Sequence, residues 1–143
     1  MKKVFCDIKK CMNCRRCELA CYMKNAGTDD IFEAVRLTQP PVKNIELIQM
    51  ENESMPFSCR QCDEPLCVDA CISGALYIDE ISRCVNLDKE KCVGCWSCIM
   101  RCPHGSIRIS MHTASKCDNC YSKEKSACVN ACPTGALTVD ESI

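Results

Sequence analysis

The stretch CVGCWSCIMRCP, residues 92–103, sets four thiols at spacings of three, three and four residues and closes on a proline. Sulfur at that density is suited to holding metal, because the thiolate is a soft, strongly binding ligand. The arrangement recurs along the chain. Cys11, Cys14, Cys17 and Cys21 form a first set, Cys59, Cys62, Cys67 and Cys71 a second, Cys92, Cys95, Cys98 and Cys102 a third, and Cys117, Cys120, Cys128 and Cys132 a fourth. Of the 18 cysteines, only Cys6 and Cys84 stand outside these sets.

A cubane 4Fe-4S cluster requires one thiolate on each of its irons, which lie at the corners of a tetrahedron. A C-x2-C-x2-C loop can curl so that its three sulfurs reach three corners while its backbone N–H groups face the cluster sulfides. The remaining corner lies beyond the loop. In bacterial two-cluster proteins the fourth cysteine of each run, followed by proline, serves the other cluster. Cys92, Cys95 and Cys98 therefore read as ligands of one cluster and Cys102 as a ligand of a second. Pro103 and Pro133 fix φ and lack an N–H, which suits the exit from a helix into a turn.

Two other uses of dense cysteine compete with this one: a disulfide scaffold and structural zinc. The opening MKKVFCDIKKCMNC shows neither an apolar run nor a cleavage site of a secretory signal, and no later run approaches the length of a membrane span. The expected setting is the reducing cytoplasm, where thiols stay free for metal. Zinc sites favour two separated C-x2-C pairs, often with histidine, whereas triplets dominate here and neither His104 nor His112 recurs at an equivalent position. Cys6 and Cys84 fall in strand-like stretches before cluster loops and read as small packing residues, with an extra redox or ligand role as the alternative.

The elements that must position these thiols are also repeated. CISGALYID, CPHGSIRIS and CPTGALTVD follow the last cysteine of the second, third and fourth sets. In each, a glycine three residues on permits a tight turn, and the apolar alternation beyond it predicts a short strand. The unit is thus cysteine loop, short helix, turn, strand. The first set departs, because YMKNAGTDD follows Cys21 and no such tail exists. Residues 22–57 read as an insertion packed over the unit, with a turn or two of helix in DDIFEAVRL (29–37) and an extended or turning QPPV (39–42).

The length, 143 residues, suits one domain, but aromatic residues make up only 5 % of it, so ordinary side chains cannot fill the middle unaided. A formal net charge of −1 gives no footprint for nucleic acid or anionic lipid. Oxidised clusters with their thiolates would add about −2 each, to be offset by backbone dipoles and nearby cations. Arg15, Arg16 and Arg60 lie within cluster loops, and Lys2, Lys3, Lys9 and Lys10 precede the first. They read as a solvated basic edge, or as a face that docks an acidic partner or raises a cluster potential. Trp96, directly after Cys95, reads as a shield against water.

The runs SCRQCDEPLCVDACISGAL (58–76), CVGCWSCIMRCPHGSI and KCDNCYSKEKSACVNACPTGAL (116–137) resemble the four-cluster ferredoxin-type electron-transfer subunits. The likeness extends over nearly the whole chain. Within that family the CRQC and CVGCWSC wording is most similar to the iron–sulfur partner of nickel-containing carbon monoxide dehydrogenase. The resemblance implies an α+β fold of two ferredoxin-like lobes of βαββαβ type, one inserted in the other. Residues 1–57 and 108–143 would form the outer lobe and residues 58–107 the inner.

It implies, too, that the first motif pairs with the fourth and the second with the third. One cluster would be held by Cys11, Cys14, Cys17 and Cys132, and the next by Cys117, Cys120, Cys128 and Cys21. Cys59, Cys62, Cys67 and Cys102 would hold another, and Cys92, Cys95, Cys98 and Cys71 the last. The strand around VFCDI would lie beside ALTVD.

Ligation by cysteine alone leaves no open position for a substrate, and the five glycines form no phosphate-cradling loop. The expected role is therefore not enzymatic in itself. It is electron transfer through four 4Fe-4S clusters, from carbon monoxide dehydrogenase to a hydrogenase or a flavin- or nicotinamide-dependent reductase. A formate dehydrogenase, hydrogenase or molybdopterin oxidoreductase is the alternative catalytic partner.

Overall fold

A computed structural model of the chain describes residues 2–122 and 126–140. Met1 and residues 141–143, at the ends of the expected outer lobe, and residues 123–125, inside the fourth cysteine set, lie outside the described residues. The fold is a small mixture of short helices and two-stranded antiparallel ribbons.

The chain opens with β1 (Lys3–Cys6), then α1 (Arg16–Ala26) and α2 (Ile31–Arg36), then β2 (Ile45–Met50) and β3 (Glu53–Ser58). Next come α3 (Leu66–Asp69), β4 (Leu76–Ile78), β5 (Val85–Leu87), α4 (Ser97–Arg101), β6 (Arg108–Ser110) and β7 (Thr113–Ser115). It closes with α5 (Ala127–Asn130) and β8 (Leu137–Asp140). The three shared tails form β4, β6 and β8, and each is preceded by a glycine at positive φ: Gly74 at +64°, Gly105 at +59° and Gly135 at +63°. A left-handed turn at this point costs least with no Cβ, which is why the three tails share the residue.

β1 pairs with β8, with Lys3 opposite Asp140 and Cys6 opposite Leu137, so the two ends of the described chain meet in the register that VFCDI and ALTVD suggest. β2 pairs with β3, and α1 packs on α5. Read without the residues between β3 and α5, this part runs β, α, β, β, α, β, with α2 added after α1. Its apolar centre is Cys17, Ile45, Leu47, Cys128 and Leu137, with Val4, Cys6 and Cys11 against it.

The remaining elements run in a different order. β4 pairs with β5, β6 with β7, and α3 packs on α4 around Leu76, Val85, Cys98, Ile107 and Ala114. The sequence is α, β, β, α, β, β: the residues before Cys59 belong to β3, which is already paired with β2, so the partner for β6 comes from β7 downstream. Ala114 of β7 is buried in this second centre although it lies beyond residue 107.

The insertion holds more structure than its sequence suggests. α1 does not stop at Cys21 but runs to Ala26, where Gly27, at φ +75°, donates its N–H to the Lys24 carbonyl and Thr28 donates to that of Met23. That is a Schellman end. Asp30 caps α2 by accepting the Phe32 N–H at 2.8 Å. The β2–β3 ribbon also lies within the insertion, with Ile45 and Leu47 buried at alternate positions and Glu46 between them only partly buried.

Candidate metal centres

All four cysteine loops bend in the same way. The residue just before the second cysteine has positive φ in each: Asn13 at +58°, Gln61 at +47°, Gly94 at +69° and Asn119 at +53°. In the two regular loops the residue just after the second cysteine does so again, Arg15 at +57° and Trp96 at +62°. A left-handed backbone is costly for a residue with a Cβ. Alternating hands along a loop turn successive N–H groups to one side and create a concavity for negative charge. Its recurrence in four loops marks the strain as the cost of a shared task.

At Gly94 a side chain would meet a second obstacle: a Cβ built there falls 2.5 Å from the His112 carbonyl oxygen and 3.5 Å from the Trp96 ring. The third loop therefore lies directly against the β6–β7 turn, and half-buried Trp96 lies over the glycine.

The thiols converge in groups drawn from distant parts of the chain. Cys11, Cys14, Cys17 and Cys132 line one small cavity, closed by Leu47, Pro56 and Leu137. Cys21, Cys117, Cys120 and Cys128 line another, between Ile45 and Val4. Cys59, Cys62, Cys67 and Cys102 line a third, under Leu66 and Ile107. Cys71 lies in the electrostatic reach of Cys95 and Cys98, and Cys98 in that of Cys92. Three groups of thiols thus each line a cavity, and the fourth is drawn together by electrostatic reach alone. All eighteen thiols are free, and only Cys14 and Cys95 are exposed.

Hydrogen-bond donors approach several of the sulfurs. Asn44 N–H donates to Cys21 Sγ at 3.2 Å, Leu76 N–H to Cys71 Sγ at 3.3 Å, Ala114 N–H to Cys92 Sγ at 3.4 Å and Asn119 N–H to Cys117 Sγ at 3.4 Å. Such bonds favour the thiolate. For Cys71 and Cys132, burial pushes the thiol up, but backbone donors at the head of the following strand outweigh it and hold both below the usual thiol range. The missing tail after Cys21 is made good here: the N–H that Leu76 supplies to Cys71 comes to Cys21 from Asn44, twenty-three positions downstream, at the head of β2.

Other thiols lie in dry surroundings. Burial pushes Cys17 and Cys67 up to about 11 and Cys128 up to about 12, with neighbouring thiols adding to the rise at Cys67 and Cys128. Cys6 is likewise pushed up to about 11, by burial and then by Cys11 and Cys132, so it abuts the first cavity from β1. Cys84 is fully buried immediately before β5, and no hydrogen bond reaches its sulfur among the described residues.

Four thiols around an apolar space, with N–H groups turned toward sulfur, fit a 4Fe-4S cluster. Among the described residues no three His, Cys, Asp or Glu side chains close on a single ion. A cluster supplies iron to separated thiols, whereas one zinc ion needs them gathered within about 2.3 Å of itself.

Polar residues that the sequence did not single out tie the cavities together. Gln61 is fully buried; its Nε2 donates to the Cys117 carbonyl at 2.9 Å and its Oε1 accepts the Val85 N–H at 2.8 Å. Lys116, 7 % exposed, donates from Nζ to the carbonyls of Val85 and Cys117. Glu18, buried on α1, accepts the Leu47 N–H at 2.8 Å and pairs with Lys43 at 3.0 Å and Arg15 at 3.3 Å. Burial pushes the Glu18 carboxyl up, but Leu47, Lys43 and Arg15 outweigh that and hold it below its usual range.

The basic edge is largely answered locally: Lys3 pairs with Asp63, Lys10 with Asp7 and Arg15 with Glu18, while the Arg60 guanidinium stacks 5.8 Å from the Phe57 ring centre. Among the described residues no helix is long and apolar enough to cross a membrane.

A family model described as the 4Fe-4S dicluster domain matches residues 48–142. An iron–sulfur protein of Rhodospirillum rubrum is 32 % identical over 94 % of this chain and 79 % of its own length. The electron transport protein HydN of Escherichia coli is 32 % identical over 94 % of this chain and 85 % of its own length. Among solved structures, the BamBC active-site complex of benzoyl coenzyme A reductase aligns with 98 % of this chain and 76 % of the matched chain, at a TM-score of 0.50 and 20 % identity, a likeness of fold alone.

Proposed function

The chain belongs to the 4Fe-4S dicluster domain family, and from that premise we propose that it is a dedicated electron carrier with four 4Fe-4S clusters in a row. The clusters sit in the four groups of thiols described above, in two ferredoxin-like lobes. The outer lobe comprises the β1–β8 and β2–β3 ribbons with α1 and α5, and the inner one α3 to β7, so that the inner lobe runs to about residue 115. When bound, the clusters supply one-electron oxidation and reduction, with no substrate at the iron.

The observation that carries this reading is where the two exposed thiols fall. Cys14 belongs to the group completed by Cys132, and Cys95 to the group completed by Cys71. The other two groups have no exposed thiol and lie between them. Cys17 acts on Cys128, and Cys59 acts on Cys117, so the group of Cys117 is in electrostatic reach of the group of Cys14 and of the group of Cys59. Thiols of the third and fourth groups share one apolar centre. A path open at its two ends and covered in the middle suits passage between two partners.

Around the Cys95 end, Ile72, Val93 and Met100 are exposed, 77 %, 66 % and 87 %. We assign this end to the catalytic partner, carbon monoxide dehydrogenase, with a hydrogenase or a flavin- or nicotinamide-dependent reductase as acceptor at the other. The CRQC and CVGCWSC wording supports that choice of partner.

Anaerobic iron and sulfide analysis tests the carrier role: about sixteen irons and as many sulfides per chain are expected. Zinc in place of iron would overturn it. Purification from the native host under exclusion of oxygen tests the partner. A nickel-containing dehydrogenase in the complex supports the assignment, and a formate dehydrogenase, hydrogenase or molybdopterin enzyme in its place overturns that part alone.

A further inference from the structure

Four negatively charged clusters in a chain of this size need fixed positive charge near them, and where it stands decides which cluster holds an electron best. Most of the basic edge contributes little, because it is screened by water; Lys3 reaches Cys62, but its Nζ is 3.3 Å from Asp63 Oδ1, so its charge is locally offset. Two further ammonium groups lie beside the cluster sites. Lys24, on α1, acts on Cys21 and Cys120, but its Nζ is 2.8 Å from Asp118 Oδ2 and 3.1 Å from Asp118 Oδ1, so its charge is locally offset.

Lys116 differs. Its two hydrogen bonds go to the neutral carbonyls of Val85 and Cys117, and among the described residues no carboxylate lies within ion-pair distance of it. It directly precedes Cys117, a member of the second cavity, and its charge acts on Cys67, a member of the third. Gln61 bonds the same Cys117 carbonyl and the N–H of the same Val85, which fixes the surroundings of the ammonium from the other side. A cavity of about 240 Å³, lined by Lys24, Asn86, Lys89 and Asp118, reaches Lys116 from one side. Among the described residues its only carboxylate is that of Asp118, which Lys24 holds.

We propose that Lys116 is an uncompensated, buried positive charge at the junction of the two central cluster sites, and that it raises their reduction potentials above those of the two end sites. Lys116 thereby favours the electron in the covered middle of the path over either exposed end. A row tuned in this way accepts an electron readily from either partner and resists losing it to solvent oxidants at the tips. The inference rests on the four-cluster reading above.

The test is a potentiometric titration of the intact iron-loaded protein followed by electron paramagnetic resonance, comparing the parent chain with Lys116→Met and Lys116→Arg. At a fixed potential, Lys116→Met should lower the reduced-to-oxidised ratio of two of the four steps about tenfold, a shift of about 59 mV for a one-electron couple. The other two steps should stay within about twofold, and Lys116→Arg should titrate like the parent. Four unmoved steps, or four steps moved alike, in a fully loaded Lys116→Met would overturn the proposal. Failure of Lys116→Met and Lys116→Gln to take up iron would assign the residue to folding, and would overturn it as well. The parent chain's iron content separates the two claims: an unloaded parent defeats the cluster reading, whereas a loaded parent with an indifferent Lys116 defeats only this one.

Discussion

Gln61 and Cys117 are joined by a 2.9 Å hydrogen bond from a fully buried side-chain amide to a backbone carbonyl, fifty-six positions apart in the chain. The bond ties the second cysteine loop to the fourth, and the other end of the same amide holds β5 through Val85. One side chain thus fixes how the two halves of the protein meet. Gln61→Leu should leave the buried Val85 N–H without a partner, while Lys116 still serves the Cys117 carbonyl, at a cost of about 1–3 kcal/mol. Unfolding that releases iron is irreversible, so the reading is a rate: bleaching of the visible absorption in guanidinium should quicken by tenfold or more. A variant that bleaches at the parent rate would show that the junction is held elsewhere.

Cys95→Ser should remove one cluster, taking iron from about sixteen to about twelve per chain. Cys84→Ser should leave the iron count unchanged, because Cys84 is buried just before β5 and belongs to none of the four groups of thiols. Equal loss from the two variants, measured by anaerobic iron analysis, would mean that Cys84 had been misassigned.

Gly94→Ala and Gly135→Ala separate crowding from backbone strain. Both sites have positive φ, but a Cβ at Gly135 meets nothing within 4 Å, whereas one at Gly94 meets the His112 carbonyl at 2.5 Å. Gly135→Ala should cost about 1–2 kcal/mol and keep all its iron. Gly94→Ala must push the third loop away from the β6–β7 turn, and should lose about a quarter of the iron. Comparable iron in the two proteins would remove the close approach as a requirement.

Glu18→Ala should loosen the β2–β3 ribbon from α1, since the carboxylate is what receives the Leu47 N–H and the Lys43 ammonium. The expected cost is about 2–3 kcal/mol, as for other hydrogen bonds to a charged group. Amide exchange at Leu47 should rise by tenfold or more while that at Val85, in the other half, stays unchanged. A uniform rise across both would point to a global effect.

Removing iron by chelation under reducing conditions should unfold most of the chain. The two apolar centres are small, and thiols make up part of each. Without iron, Cys17, Cys67 and Cys128 become neutral thiols around voids, since burial holds all three well above the usual range. Loss of far-ultraviolet dichroism and rapid proteolysis are expected, and a protease-resistant apoprotein would contradict it.

The cysteine sets, the glycine turns before β4, β6 and β8 and the helix over Ile31–Arg36 are readable in the sequence because each depends on neighbours a few positions away. Asn44 is not: its N–H reaches Cys21 only after the chain has made α1, α2 and a turn. Lys116 and Gln61 look like any other polar residues beside a cysteine. Their burial arises from partners thirty to sixty positions distant, which no local pattern encodes. The β2–β3 ribbon is hidden for another reason: the pattern places a tail directly after Cys21, and its substitute stands at residue 45. The order of the inner elements turns on which strand claims β3, a competition that composition does not decide.

The pairing of β1 with β8 sets a timetable for the ribosome. Val4 cannot find Val139, nor Cys11 its companion Cys132, until almost the whole described chain has been synthesised. On the proposed reading, the thiols between Cys59 and Cys102 emerge earlier and could be loaded first, while the amino-terminal loop would wait with its thiols bare.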